Sequence, residues 1–252
     1  SFGADQIWAA NGSNEIIQSL FMAFGDRPAL GFTPSYSMHP LIAKVIGVNW
    51  QDGGRRADFS LDLVKALNEI ATVKPALTFI TTPNNPTGTT VTLDEIAQLA
   101  QAAAQVNGLL IVDEAYAEFS DLPSAVTLIN EYANLVVIRT MSKAFAFAGA
   151  RLGYLIANQE LVSAMFLVRL PYHLSSLTQA AAEVALEFQG ELLGNVSTLI
   201  NSRKSVISEL EKIGLQVAPS QANFILFTGF SHEAAQLWRQ LLDRGVLIRD
   251  VG

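Results

Sequence analysis

Short runs of consecutive apolar residues alternate along the chain with longer segments in which apolar residues recur every three or four positions. The short runs are typical of strands covered on both faces of a mostly parallel sheet, and the longer segments are typical of helices. The pattern therefore predicts an α/β fold with a mostly parallel sheet. Its strands are predicted at residues 29–32, 77–81, 109–112, 135–138 and 152–156.

Helices are predicted between these strands and, in longer stretches, toward the C-terminus. One helix begins near residues 11–14, and another begins at Thr92, where Thr92 and Glu95 form a capping box. The change to long helices and then to a second strand and helix pattern predicts a large domain over residues 1–180 and the start of a smaller one over residues 181–252. The other predicted helices cover residues 58–70, 159–169, 177–188, 192–213 and 232–243, and strand-like runs occupy residues 222–227 and 246–248.

The composition narrows the class of protein. Of 252 residues, 50% are hydrophobic and 15% are charged, and no apolar run reaches the roughly 18 residues that a membrane-spanning helix needs. The net charge of −7 has no basic cluster beside it, so we expect neither nucleic acid nor a membrane surface as a partner. The absence of cysteine excludes disulfides and thiolate catalysis. We expect a soluble, cytoplasmic protein that acts on small molecules.

The two ends of the sequence suggest that it is a segment of a longer protein. It begins at Ser1 rather than at a methionine, and it stops at Gly252, soon after a strand-like run where a domain would normally continue. We expect the large domain to be incomplete at its N-terminus and the small domain to be incomplete at its C-terminus.

Polar residues follow several of the apolar runs. In open α/β sheets, ligands bind outside the carboxyl ends of the strands, so these residues are candidates for a common site. The start of the first helix adds a candidate anion site, because its free backbone amides and its dipole point outward. The candidates after the strands are Tyr36, Asn85, Asp113, Tyr116, Thr140, Ser142 and Lys143, and those at the helix start are Ser13 and Asn14.

Each candidate also has a purely structural explanation. Asp113 can cap a helix, and Asn85 can stabilise its own turn through side-chain to backbone bonding. Tyr36 can be a half-buried packing residue, and Arg151 can be a surface charge. Their occurrence at one predicted edge of one sheet, rather than any single residue, indicates a site.

Lys143 is the most informative lysine of the chain. It lies among Met141, Ala144 and Phe145 in the sequence, so we expect partial desolvation, which favours the neutral amine that a nucleophilic lysine needs. A buried stem with an exposed ammonium group is the structural alternative.

Other kinds of site lack the residues they need. His39, His173 and His232 are far apart and lack the paired spacing of metal ligands, so no metal site is expected. The sequence has no glycine-rich dinucleotide fingerprint, Walker loop or nucleophile elbow. A carboxylate, a desolvated lysine, an aromatic face and a helix start are what an aromatic aldehyde phosphate requires.

A series of short motifs runs through most of the chain, from about residue 3 to residue 249. They are Asn11-Gly12-Ser13-Asn14-Glu15, Pro34-Ser35-Tyr36-Ser37-Met38, Pro83-Asn84-Asn85-Pro86-Thr87-Gly88, Asp113-Glu114-Ala115-Tyr116, Arg139-Thr140-Met141-Ser142-Lys143-Ala144-Phe145, Arg151-Leu152-Gly153-Tyr154, Val168-Arg169-Leu170-Pro171-Tyr172, Ser220-Gln221-Ala222-Asn223-Phe224 and Ile248-Arg249-Asp250. In order and spacing, the motifs resemble those of the fold type I aminotransferases that depend on pyridoxal 5'-phosphate (PLP), in the class II aminotransferase family. The resemblance implies a three-layer large domain that binds PLP and a smaller α+β domain.

The resemblance also implies a role for each candidate. Lys143 would bind the cofactor's aldehyde and then act as the base, and Asp113 would keep the pyridine nitrogen protonated. Asn85 and Tyr116 would hydrogen-bond the cofactor's phenolate oxygen, and Tyr36 would stack on the ring. Together with Lys143 and Asp113, Tyr116 would be a catalytic residue. The cofactor's phosphate would be held by Ser13, Asn14, Thr140, Ser142 and Arg151.

Within that family the motifs are most similar to those of the members that act on histidinol phosphate. This implies the exchange of an amino group between L-histidinol phosphate and 2-oxoglutarate, giving glutamate, by a ping-pong route in histidine biosynthesis. Asn85 and Arg249 would contact the substrate, Arg249 through the substrate's own phosphate. The resemblance further implies a homodimer in which the partner contributes a tyrosine from the region before Ser1.

Rival functions stay open on the sequence alone. An aromatic-amino-acid aminotransferase or a threonine-phosphate decarboxylase would use the same frame and the same cofactor residues. A non-catalytic ligand-sensing domain would keep the fold, but Asp113, Lys143 and Arg151 together favour an enzyme, because a sensor does not need the lysine. The sequence therefore predicts a PLP-dependent aminotransferase, with histidinol phosphate as the finer expectation.

Overall fold

A computed structural model describes residues 2–251 and has the predicted α/β architecture. Its main sheet has seven strands in the order β1-β7-β6-β5-β4-β2-β3, and the smaller sheet pairs β8 with β9. The strands are β1 Ile7–Ala10, β2 Ala29–Gly31, β3 Trp50–Asp52, β4 Leu77–Thr81, β5 Leu109–Asp113, β6 Leu135–Thr140, β7 Gly153–Ala157, β8 Gln216–Val217 and β9 Phe227–Thr228. The helices are α1 Ser13–Phe24, α2 Met38–Ile46, α3 Leu63–Val73, α4 Leu93–Gln105, α5 Gln159–Val168, α6 Ser176–Glu187, α7 Gln189–Lys212 and α8 Ala234–Leu242.

The main sheet is parallel except for one strand. Strands β3, β2, β4, β5 and β6 pair in parallel, whereas β7 runs antiparallel to both of its neighbours, β6 and β1. Because β7 is reversed, its first residue lies beside the last residue of β6, with Gly153 opposite Thr140. The start of β7 therefore lies at the same edge of the sheet as the carboxyl ends of the parallel strands.

The sheet is covered on both faces, as the continuous apolar runs predict. Alternate residues of a strand point to opposite faces, and in β5 Ile111 packs with α1, α2 and α5, whereas Leu110 and Val112 pack with α3 and α4. Helix, sheet and helix thus form three layers. The capping box of α4 is also confirmed, since the Thr92 hydroxyl accepts from the Glu95 amide at 3.3 Å and the Glu95 carboxylate accepts from the Thr92 amide at 2.8 Å.

Several predicted elements are wrong in place or extent. The predicted helix over residues 58–70 begins only at Leu63, because the Asp62 carboxylate caps it by accepting from the Lys65 amide at 3.1 Å. The strand-like run at residues 246–248 is not a strand, and only the last residue of the run at 222–227 lies in β9. Within the described residues, no neighbouring strand offers residues 246–248 a hydrogen-bonding edge. Four of the strands and helices, β1, α2, β3 and β8, were not predicted.

The C-terminal part consists mainly of α6, the 24-residue helix α7, the β8–β9 pair and α8. Helix α6 spans the expected boundary at residue 180, so the division into residues 1–180 and 181–252 stays a prediction. No helix among residues 2–251 is long and apolar enough to cross a membrane. The same residues contain no cluster of three acidic or histidine side chains that could hold a metal ion.

A buried ion-pair network joins the carboxyl ends of β5 and β6. Arg139 donates to the Glu114 carboxylate at 2.8 Å and to the Glu118 carboxylate at 2.9 Å. Glu114 is 3% exposed, and it also accepts from the Ser124 hydroxyl and from the Ala125 amide, each at 2.6 Å. The network fixes the loop after Asp113 against the end of β6.

We expect Arg139→Met to lower the free energy of unfolding by about 3–5 kcal/mol, because it leaves the Glu114 carboxylate buried without its cation. Denaturant unfolding followed by circular dichroism measures the change. The control is Arg56→Met, because Arg56 pairs with Asp62 at 3.3 Å but its side chain is 54% exposed, so its loss should cost about 0–1 kcal/mol. Equal losses in the two variants would contradict the structural role of the network.

Candidate functional site

The candidate residues meet at one edge of the main sheet. Asp113 and Thr140 are the last residues of β5 and β6, and Ser13 is the first residue of α1, which follows β1 after a short turn. The turn after β4 carries Asn85, and the segment between β2 and α2 carries Tyr36. The parallel order of the strands thus brings together residues that are more than 100 positions apart in the sequence.

Asp113 is a buried carboxylate with a buried histidine behind it. Its side chain is 3% exposed, and one oxygen lies 3.2 Å from Nε2 of His39, which is 2% exposed. The other oxygen accepts from the Ala115 amide at 3.1 Å, but Asp113 does not cap a helix, because the next helical segment, a short 3-10 helix at Ala117–Phe119, begins after Tyr116. His39 is itself held between aromatic rings, with Phe79 at 4.7 Å and Tyr36 at 5.3 Å between centroids. The carboxylate is therefore fixed in position.

Tyr116 and Asn85 form a second pair at this edge. The Asn85 amide donates to the Tyr116 hydroxyl at 3.4 Å. The preceding residue, Asn84, is fully buried and organises the turn by donating to the Pro34 carbonyl at 2.9 Å and to the Thr87 hydroxyl at 2.8 Å. The turn is thus stabilised by Asn84, which leaves the Asn85 side chain free to face the site.

Burial raises the pKa of Tyr116 to about 12 from its ordinary 10.0, and the negative charge of Asp113 acts in the same direction. The phenol is therefore protonated at neutral pH and can donate a hydrogen bond. Because the pKa is raised in the folded state, the stability linked to this proton is complete below pH 10 and is lost as the pH rises toward about 12.

We expect Tyr116→Phe to lose less stability than the unmodified chain between pH 10 and pH 12, because the variant has no buried phenol to ionise. Denaturant unfolding at a series of pH values measures this difference. Tyr172→Phe is the control, since Tyr172 is fully exposed, and its alkaline profile should match that of the unmodified chain. Parallel profiles for Tyr116→Phe and the unmodified chain would contradict the burial of the phenol.

Tyr36 connects the aromatic side chains around His39 to the start of α1. Its hydroxyl donates to the Asn14 side chain at 3.1 Å, and burial raises its pKa while the charges of Arg151 and Arg249 oppose that shift. The two arginines are therefore within electrostatic reach of this phenol. Arg249 acts on the pKa of Tyr116 in the same way. Although Arg249 is exposed, the structure thus places its charge near both tyrosines.

Lys143 lies beside Tyr116, with Nζ 5.4 Å from the centroid of the ring. The expected desolvation is wrong for this chain, because Lys143 is exposed while Met141, Ala144 and Phe145 are buried. The apolar neighbours in the sequence turn into the core, whereas the lysine turns outward. Its position is nevertheless at the common edge, next to the Asn85–Tyr116 pair.

A concave surface, here called the cradle, is formed by the start of α1, the beginning of β7 and the residues around Lys143. Two of its positions are occupied by glycine, which has no side chain. A Cβ atom on Gly12, whose φ is 82°, would lie 2.5 Å from Arg151 Nη2, and one on Gly153 would lie 2.5 Å from the Ser13 nitrogen. The Thr140 hydroxyl donates to the Ser142 hydroxyl at 3.0 Å beside this cradle. Backbone amides, two hydroxyls and a guanidinium thus converge there, as expected for an anion site at a helix start.

We expect Gly153→Ala to weaken the binding of an anionic phosphate ligand roughly tenfold or more, because the added Cβ must push the first turn of α1 out of place. The control is Gly149→Ala, since Gly149 lies in the same loop and a Cβ there would have nothing within 4 Å. Titration of each variant with PLP, followed by absorbance, gives the dissociation constants. Equal affinities for the two variants would contradict the proposed cradle.

His39 is the site residue that the sequence analysis missed, since it considered this histidine only as a metal ligand. The signal is its spacing: it follows Tyr36 by three residues and lies in the first turn of α2, where Pro40 is tolerated. A residue in that turn can reach back toward the sheet. The Glu114–Arg139–Glu118 network was also missed, because a pairing across 25 residues has no local signal.

The fold and this cluster define a class of protein. A family model described as aminotransferase class I and II matches residues 1–252, and the chain belongs to that family. Among curated proteins, a histidinol-phosphate aminotransferase of Mycobacterium sp. (strain JLS) is 55% identical over 251 residues, which cover 98% of this chain and 66% of that protein. The chain thus spans slightly less than two thirds of this relative's length.

Solved structures agree with this assignment of family and fold. The histidinol-phosphate aminotransferase of Clostridium acetobutylicum has a TM-score of 0.89 at 28% identity, over 97% of this chain and 73% of that chain. A histidinol-phosphate aminotransferase of Sinorhizobium meliloti in complex with pyridoxal-5'-phosphate has a TM-score of 0.87 over 98% of this chain and 69% of that chain. At 24% identity the second structure shows the common fold alone. The fold is that of the fold type I aminotransferases, as expected.

Proposed function

We propose that this chain is the larger part of a PLP-dependent aminotransferase that transfers an amino group between L-histidinol phosphate and 2-oxoglutarate in histidine biosynthesis. One observation carries the proposal: a fixed carboxylate (Asp113), an amine (Lys143) and an anion cradle at a helix start lie together at one edge of the sheet. The curated relative of 55% identity supports the substrate.

The residues present fit PLP at each of its polar groups. The glycine cradle beside Ser13 and Arg151 suits a phosphate, because a side chain at Gly12 or Gly153 would close it. The buried Asp113 carboxylate suits a protonated pyridine nitrogen, and the protonated Tyr116 phenol suits a phenolate oxygen. Asn85 is placed to donate to the same oxygen, since its amide already points toward the Tyr116 hydroxyl. The hydrogen-bond donors and the charges of the site are thus complementary to the polar groups of PLP.

PLP supplies an aldehyde that captures the substrate's amine and a ring that accepts the electron pair of the broken bond. Asp113 would hold the proton on the pyridine nitrogen, and His39 would keep its carboxylate in position. Tyr116 and Asn85 would stabilise negative charge at the phenolate oxygen, and Tyr36 would cover one face of the ring. Lys143 Nζ would accept the proton from the substrate's Cα and deliver it to the carbon that carried the cofactor's aldehyde oxygen.

The substrate's own phosphate is assigned to Arg249. Its guanidinium is exposed in this chain, and its charge acts on both tyrosines of the site. A guanidinium is well suited to a phosphate because it can donate two parallel hydrogen bonds. Asn85, whose side-chain amide donates to the Tyr116 hydroxyl at 3.4 Å, is proposed as the second substrate contact.

The protein is proposed to work as a homodimer in the cytoplasm, with histidinol phosphate, 2-oxoglutarate and glutamate as its small-molecule partners. Apolar side chains are exposed on α5 and just after it, and they support the presence of an interface with a second subunit. Among them, Leu167 is 87% exposed and Leu170 is 71% exposed. Exposed apolar side chains of this size are costly in water unless a partner covers them.

Absorption spectroscopy of the purified chain with PLP tests the cofactor, and borohydride reduction followed by peptide mass spectrometry locates the modified residue. We expect the label on Lys143; a label on another lysine, or no new absorption band, would refute the cofactor site. Amino donors are then compared under the same conditions. A clear preference for phenylalanine over histidinol phosphate, or release of carbon dioxide from threonine phosphate, would replace the proposed substrate by one of its rivals.

A further inference from the structure

We propose that residues 220–224, here called the docking segment, position the Asn85–Tyr116 pair, and that Phe224 is a positioning residue for the Tyr116 phenol. This inference rests on the proposed function, since it concerns how the phenol is presented to the cofactor. The docking segment follows β8 and precedes β9, so it reaches the site from the C-terminal part of the chain.

The docking segment is attached to the turn that carries Asn85. The Gln221 amide donates to the Gly88 carbonyl at 2.9 Å. Gly88 has a φ of +77°, and a Cβ there would lie 2.2 Å from the Ser220 hydroxyl and 2.8 Å from the Ser220 Cα. The two backbones therefore approach so closely that only glycine fits, and this contact links the turn at residues 83–88 to the docking segment.

The same segment is attached to the loop that follows Tyr116. The Gln221 side-chain oxygen accepts from the Ser120 hydroxyl at 2.7 Å and from the Asp121 amide at 2.8 Å. Arg203, which is buried on α7, donates to the Phe119 carbonyl at 3.2 Å and to the Ala222 carbonyl at 2.7 Å. The loop and the docking segment thus share two polar clamps, one from a glutamine and one from an arginine.

Phe224 makes the direct contact with the site. Its ring meets the Tyr116 ring edge to face, with centroids 4.9 Å apart and an interplanar angle of 88°. The Lys143 amine lies near the same tyrosine ring, 5.4 Å from its centroid. Once its backbone is fixed, a tyrosine side chain still has two rotatable bonds, and rotation about the Cα–Cβ bond is the one that moves the phenol oxygen. An edge-to-face neighbour restricts that rotation by packing against the ring, and so limits where the hydroxyl lies.

These contacts form a continuous connection from the C-terminal part of the chain to two donors of the cofactor site. The backbone of the docking segment holds the Asn85 turn, the Gln221 clamp holds the loop after Tyr116, and Phe224 orients the phenol itself. A shift of the segment would therefore move both donors together. Phe224 contacts the Tyr116 ring, so the role proposed for it is to position Tyr116.

A double-mutant cycle tests the inference, with Phe224→Leu, Tyr116→Phe and both changes together in the full chain. Two quantities are measured: the PLP dissociation constant by absorbance titration, and the pH midpoint of tyrosinate formation in the PLP-free protein. We expect Phe224→Leu to weaken PLP binding about two- to tenfold, the effect of losing one aromatic pair, and to lower the highest tyrosinate midpoint. Both effects should disappear in the Tyr116→Phe background.

Phe227→Leu is the matched control, since Phe227 also belongs to an edge-to-face pair, with Phe230, and has no contact of this kind with Tyr116. An equal effect of Phe224→Leu with and without Tyr116, or an equal effect of Phe227→Leu, would refute the positioning role. Gln221→Ala gives the same test with less change to the core, should Phe224→Leu fold poorly. If PLP does not bind the unmodified chain, the proposed function fails, while the tyrosinate midpoint still decides the positioning role.

Discussion

Replacing Lys143 by alanine is expected to lower the rate of amino transfer by about ten thousandfold or more. The expected loss is large because the proposed mechanism uses the same amine both to react with the cofactor's aldehyde and to move the proton. General acid–base catalysis alone contributes roughly a hundred- to ten-thousandfold. Lys143 Nζ lies beside the Tyr116 ring at the edge where the parallel strands end. Single-turnover absorbance with histidinol phosphate measures the rate.

The control for this prediction is Lys204→Ala, since Lys204 is exposed on α7. Its rate should equal that of the unmodified chain. Added methylamine should restore part of the rate to Lys143→Ala, because a free amine can take the proton in place of the side chain. Full activity of Lys143→Ala without added amine would eliminate the proposed mechanism, whereas loss of folding would be visible in circular dichroism.

Replacing Asp113 by asparagine is expected to be the second most damaging change, with a loss of about a hundred- to ten-thousandfold in rate. Asparagine keeps the shape of the side chain, so the amide contact with Ala115 can persist, but it removes the negative charge that is proposed to hold a proton on the pyridine nitrogen. The contact with His39, at 3.2 Å, would persist only as a neutral hydrogen bond. The effect should therefore fall on the rate more than on substrate binding.

Steady-state kinetics separate these two quantities, since a loss in kcat at similar KM is the result expected for Asp113→Asn. The bound cofactor should also absorb at a different wavelength when the charge beside its nitrogen is removed. Asp94→Asn is the control, because Asp94 lies in the exposed first turn of α4. An unchanged kcat in Asp113→Asn would show that the carboxylate has no role at the ring.

The layers of the fold could be predicted from the sequence because the central strands are buried on both faces. Runs such as residues 109–112 and 135–138 have no polar face, and their covered position follows from that fact alone. The short strands β1 and β3 have no such signal, since each has three or four residues and an exposed position. They form because a neighbouring strand, β7 for β1 and β2 for β3, offers them an edge.

The candidate site could be located from the sequence for a related reason. Polar residues directly after buried strands must lie at the strand ends, so Asp113, Thr140 and Lys143 were brought to one edge by topology alone. Their environments could not be predicted in this way. The exposure of Lys143 depends on the direction in which the loop turns after Thr140, and the partner of Asp113, His39, comes from a helix 74 residues away.

The single reversed strand, β7, also has a consequence for the order in which the site forms. Because β7 returns directly beside β6, the lysine and arginine of the site belong to one hairpin, and no crossover helix has to pack before they meet. Contacts between residues close in sequence form faster than distant ones, since less chain entropy is lost in closing the loop. We therefore expect the β6–β7 connection, with Lys143 and Arg151, to form early during folding, and the start of α1, the carboxylate and its histidine to join it only when strands distant in sequence have paired.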